Sequence, residues 1–164
     1  MYMIKKTIIT ISIFFILSTN LLAAGSSSSS SSDMSKYEQA VKLINAAKKL
    51  EKKSKTEKAK AKYLKAQKLL IMSNKSKPNK PNTLNYLGFT TRKIGDFENG
   101  EKYYLEGLAI DPNHIGINEY LGELYVATGR HNLAIERLEV LKNCNCKEYK
   151  ELEAIIAGKK VSKY

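Results

Sequence analysis

Apolar side chains recur along most of this chain at the three- and four-residue spacing of one helix face. Leu43, Ala47 and Leu50 form one such series, and Tyr149, Leu152, Ile155 and Ile156 form another between the polar Lys147, Glu148, Lys150 and Glu151. Between them, bulky residues alternate with glycines: Leu84, Leu87 and Gly88 are followed by Gly95, Phe97, Gly100, Tyr104, Gly107 and Pro112. Small residues at fixed places let two antiparallel helices approach closely. The pattern predicts seven helices, near 37–53, 56–73, 83–94, 97–110, 116–128, 131–142 and 147–157. Local chemistry marks the same ends. Gly95, Gly129 and Gly158 supply left-handed residues that stop a helix, and Asp96 stands where a cap is needed. Asp111 and Pro112 separate two helices, and Ser54 with Glu57 has the spacing of a capping box.

The pattern repeats. At an offset of 34 residues, Tyr86, Leu87 and Gly88 recur as Tyr120, Leu121 and Gly122, and Gly95 recurs as Gly129. The second unit continues with Tyr125, Ala134 and Leu138, with His131 at the packing position that Phe97 holds in the first. A degenerate copy lies upstream at an offset of 41, which aligns Glu57 with Glu98, Ala59 with Gly100, Tyr63 with Tyr104 and Ala66 with Gly107. Its seven extra residues are two more helical turns.

These residues resemble the tetratricopeptide repeat (TPR), a helix-turn-helix unit whose signature runs Leu-Gly-x-x-Tyr, then Ala, then an aromatic, then Ala, then Pro. The resemblance implies an all-α TPR solenoid of about three repeats with a C-terminal capping helix. Its divisions are a Lys-rich degenerate repeat over 36–80, repeats at 81–114 and 115–148, a capping helix at 149–158 and a basic tail at 159–164. In this family the first helix of each unit lines a concave groove for a peptide or protein segment. The groove positions implied here are Ile44, Lys48 and Lys52, then Asn85, Phe89, Arg92 and Lys93, then Glu119 and Glu123, with bases at one end and acids at the other. The carboxylate clamp of chaperone-binding members matches only at Asn85, which argues against recognition of an acidic C-terminal tail.

Ahead of the repeats, Lys5 and Lys6 precede an apolar run of about 11 residues from Thr7 to Leu17, and Ala23, Ala24 and Gly25 follow. These are the three parts of a secretory signal peptide over 1–24, with cleavage expected near Ala24. The run is about half the ~20 residues of a membrane-spanning helix, and extending it through Leu22 leaves an uncleaved anchor as the alternative. No Cys follows the small residues, so a lipoprotein anchor is not expected. Seven serines, Ser26 to Ser32, make 25–35 a flexible linker. Export makes the periplasm the expected compartment.

Charge then changes the picture. The whole chain carries a formal +12, and residues 36–80 alone hold 15 Lys against Glu38, Glu51 and Glu57, whereas 81–164 is close to neutral. Lys55, Lys58, Lys60, Lys62, Lys65 and Lys68 recur too often to share one helix face and form a basic surface. Such a surface suits nucleic acid in general, but an exported chain meets anionic envelope or surface material instead, so no nucleic-acid partner is expected.

Candidate chemistry is sparse. Cys144 and Cys146 are the only cysteines. In an oxidising compartment they read as a bridged or shielded pair in a loop, as a redox-labile thiol switch, or as half of a metal site shared with another molecule. His114 lies in a turn and His131 at a packing position, and neither has an acid or base partner in sequence, so no catalytic residue, resident metal or cofactor is expected. Three functions follow: an exported adaptor binding an unidentified protein or peptide in the groove, attachment to anionic envelope material through the Lys-rich helices, and a redox or metal-handling role of the cysteines.

Overall fold

The computed structural model describes residues 34–162. The expected signal segment, its cleavage point and the serine run lie outside the described residues. Those described are all-helical: α1 (Lys36–Glu51), α2 (Thr56–Ser76), α3 (Pro81–Lys93), α4 (Phe97–Ile110), α5 (Ile115–Ala127), α6 (His131–Leu141) and α7 (Lys147–Ile156). None of them is long and apolar enough to cross a membrane.

Short-range hydrogen bonds set the helix ends. Ser35 and Glu38 form a reciprocal capping box at α1, the Glu38 N–H donating to Ser35 Oγ at 3.2 Å and the Ser35 N–H to Glu38 Oε2 at 2.9 Å. The box expected at Ser54 and Glu57 does not form. Ser54 is spent on the turn that leaves α1, at φ 56° with its N–H on the Glu51 carbonyl, so Lys55 becomes the N-cap of α2 without a side-chain bond. Gly95 (φ 103°) and Gly129 (φ 76°) end α3 and α5 in the left-handed region. Asp96 then accepts the Asn99 N–H at 3.1 Å to start α4. His114 starts α5 in the same manner: its Nδ1 accepts the Ile117 N–H at 3.1 Å, and its Nε2 lies 2.9 Å from Asn82 Oδ1. Both bonds suit a neutral ring protonated on Nε2, and burial holds the imidazole below its ordinary range.

Helices pair across short links, α1 with α2, α3 with α4 and α5 with α6, and α7 closes the stack against α5 and α6. The first helices also touch in sequence, α1 with α3, α3 with α5 and α5 with α7, whereas α2, α4 and α6 do not touch one another. An inner row in contact beside an outer row held apart puts the inner row on the concave side.

Two apolar clusters fill the space between the rows. Ile44 and Ala47 meet Ala59, Tyr63, Ala66 and Leu70 of α2 and Leu84 and Leu87 of α3, while Tyr104, Ile117, Leu121, Leu124 and Ala134 form the second cluster. Tyr120 packs against both. The glycines explain the close approach: a Cβ at Gly88 would stand 2.5 Å from the Tyr104 ring, and one at Gly122 would stand 2.6 Å from Leu152. The Tyr104 ring is fully buried and cannot retreat, so overpacking makes even Ala costly at 88.

Two expected packing positions are solvent-facing. His131 is exposed and Phe97 is 38% exposed, because each is the first residue of its helix and its side chain turns back toward the exposed link. Ile44, taken above for a groove position, is fully buried against α2.

Candidate functional site: a charged groove along the inner row

The inner row encloses a groove of about 930 Å³. Lys48, Glu51 and Lys52 of α1 line it, as do Phe89, Arg92 and Lys93 of α3, Glu119, Tyr120 and Glu123 of α5, and Lys147, Glu148 and Glu151 of α7. Lys60 from the start of α2, Phe97 from the start of α4, and Lys160 and Val161 beyond α7 also line it.

An aromatic floor runs beneath these charges. The Tyr63 and Phe89 rings meet edge to face with centroids 5.6 Å apart, and Phe89 and Tyr120 lie at 5.0 Å. Lys48 Nζ sits over this floor, 4.5 Å from the Phe89 centroid, and donates to Tyr120 Oη at 3.1 Å. Burial pushes the Tyr63 and Tyr120 phenols up, so both stay protonated and serve as neutral hydrogen-bonding groups.

Buried charge is matched by buried charge. The Arg92 side chain is fully sequestered, yet Nη1 donates to the Tyr120 carbonyl at 2.6 Å and Nη2 reaches Glu123 Oε2 at 3.3 Å, tying α3 to α5. Lys93 pairs with Glu51 at 2.5 Å, and Tyr63 Oη donates to the other Glu51 oxygen at 2.8 Å, tying α1, α2 and α3 together. On the far wall Lys147 pairs with Glu148 and Lys160 with Glu151. Glu119 differs from these. Burial, and then the charges of Glu123 and Glu148, push its carboxyl up to about 7, against the opposing pull of Lys48 and Lys147. Near neutral pH it therefore exchanges a proton inside the groove.

Of the groove positions singled out in the sequence, Lys48, Lys52, Phe89, Arg92, Lys93, Glu119 and Glu123 come together in the groove. Phe89, Arg92 and Glu123 are buried floor, while Lys93 and Glu119 stand partly exposed. Asn85 does not line the groove. It faces the start of α5, where a Cβ on Gly116 would stand 2.8 Å from Asn85 Nδ2, and that close approach sequesters it. The six lysines part company as well: Lys55, Lys58, Lys65 and Lys68 are exposed away from the groove, Lys62 is half-buried, and Lys60 alone lines it.

Sequence reasoning missed Tyr120 as the joint of the site and the carboxylates of α7. The recurrence of Tyr86 as Tyr120 carried the first signal. The second was the phase of Leu152 and Ile155, which turns Glu148 and Glu151 toward the inner row.

Cys144 and Cys146 are bonded to each other in the link between α6 and α7, with Asn145 between them at φ 46°. Among the described residues no group of three or more His, Cys, Asp and Glu side chains is placed to hold a metal ion. Comparison with protein-family models and with curated proteins finds no match to this chain.

Proposed function

We propose that the chain is an exported tetratricopeptide-type adaptor that holds an extended peptide or protein segment in the groove of its inner row. The observation that carries this reading is the groove itself, whose walls come from α1, α3, α5 and α7 and whose buried charges are anchored in pairs, Arg92 to Glu123 and Lys93 to Glu51. Preorganised polar groups over an aromatic floor bind a flexible segment at a smaller ordering cost than mobile ones. The 34-residue recurrence of Gly88 as Gly122 and of Gly95 as Gly129, together with the helix pairing, supports the repeat assignment. The Lys-flanked apolar run before the serines supports export to the periplasm.

The test uses side chains at the rim, because the floor also holds the fold. Lys52 is exposed at the end of α1 and Glu148 is only half-buried. Lys52→Glu combined with Glu148→Lys reverses charge at opposite walls, and it is expected to weaken capture of a discrete protein from a cell-envelope extract at least ~10-fold. The thermal midpoint should stay nearly unchanged. Undiminished capture by that variant would remove the groove from the function.

A further inference from the structure

The outward face of α2 is the most unusual surface outside the groove. The helix packs on α1 and α3 through Ala59, Tyr63, Ala66 and Leu70, which share one side. The opposite side carries Leu64, Ile71 and Met72, which are 40%, 47% and 48% exposed. Helical geometry places Leu64, Lys68, Ile71 and Lys75 along one line, with Lys65 and Met72 beside it. Glu57, in the first turn, is the only acid on the helix. Three large apolar side chains spread over about 12 Å of helix thus stand interleaved with lysines on one exposed face.

That combination discriminates between anionic partners. A soluble polyanion gains from the lysines alone and leaves three large apolar side chains in water. A bilayer satisfies both, taking the apolar side chains below the head groups while the lysine stems reach the phosphates. The contrast with the other outer helices sharpens the point. Leu105 on α4 and Ile135 and Val140 on α6 are comparably exposed, but Glu106, Glu136 and Glu139 stand next to them in sequence, and those charges repel an anionic surface.

We propose that the outward face of α2 docks on an anionic lipid bilayer, with Leu64, Ile71 and Met72 entering the boundary between head groups and acyl chains and the surrounding lysines pairing with lipid phosphates. This docking is independent of what the groove holds.

The chain has no Trp, so one introduced indole reports on its own surroundings. Full-length Leu64→Trp and, separately, Ile135→Trp are mixed with vesicles of phosphatidylglycerol and phosphatidylcholine, with pure phosphatidylcholine vesicles and with soluble polyphosphate. Because both variants carry the same apolar run at 7–22, a difference between them belongs to the folded surface. The expected result is a blue shift at position 64 with the anionic vesicles alone and none at position 135. Adding Lys65→Gln, Lys68→Gln and Lys75→Gln to Leu64→Trp should raise the half-saturating lipid concentration at least ~10-fold. No shift at 64, or equal shifts at 64 and 135, overturns the proposal. An equal shift with polyphosphate does so too and assigns the face to a polyanion.

Discussion

The groove and the outward face of α2 hold the same kinds of side chain under opposite physical regimes. In the groove, Arg92 is sealed from solvent and meets the Tyr120 carbonyl and Glu123, and Lys93 meets Glu51. On α2, Lys58, Lys65 and Lys68 stand in water, and among the described residues no ion pair joins them. A buried charge is individual: it has one position, one set of partners, and a large cost if a partner is removed. A solvated charge is collective, since it contributes to a field that neighbouring lysines could supply equally well. Composition alone therefore says little about what a lysine or arginine does here. Its depth decides.

Three measurements bear on that contrast, beginning with the largest expected effect. Arg92→Ala removes two hydrogen bonds between α3 and α5 and strands the Glu123 carboxylate, so urea unfolding should show a loss of about 3–5 kcal/mol. A loss below about 1 kcal/mol would mean that charges in the groove are as replaceable as those on α2.

Glu119→Gln comes next and has the opposite sign. The folded state holds this proton more tightly than the unfolded chain, whose carboxyl titrates near 4.5. The resulting stability is fully present below about pH 4.5 and is lost as the pH rises through about 7. Gln cannot ionise, so the variant should gain on the order of 1–3 kcal/mol at pH 8 and nothing at pH 4.5. A gain that is the same at both pH values would place the carboxyl in ordinary solvent. The smallest effect is expected for Lys58→Gln, Lys65→Gln and Lys68→Gln combined. Urea unfolding of this variant at low and high salt should give a stability within about 0.5 kcal/mol of the parent protein's.

Legibility followed the range of the interactions. Gly95, Asp96, Gly129 and Gly158 were readable because a helix end is decided by a few adjacent residues, and the structure gives each the expected role. Ser54 failed as a cap because two local demands competed for it: α1 required a left-handed residue at its exit before α2 required a cap. The charged interior was harder. Nothing near Arg92 in the chain announces that its guanidinium is committed to Tyr120 and Glu123, 28 and 31 residues away, so helical phase could place it on the inner row without revealing that it is floor. Asn85 shares that inner row, and only the approach of Gly116 takes it out of the groove. The glycines at 88 and 122 were recognisable as a pair, yet one is closed by Tyr104 from its own helix pair and the other by Leu152 of α7.

Among the described helices, each backbone packs only against those one or two places along the chain, and longer reach is left to side chains such as Lys48 of α1, which bonds Tyr120 of α5. Backbone packing therefore closes short loops, and the entropy lost in forming each is small. Folding of such a stack is a sequence of local steps, fast for its size and insensitive to the order in which its ends become available. Under tension applied at the two ends, the same topology yields helix pair by helix pair from an end inward. A chain delivered end-first through a narrow channel can bury apolar surface once two helix pairs have emerged, well before its last residue is free.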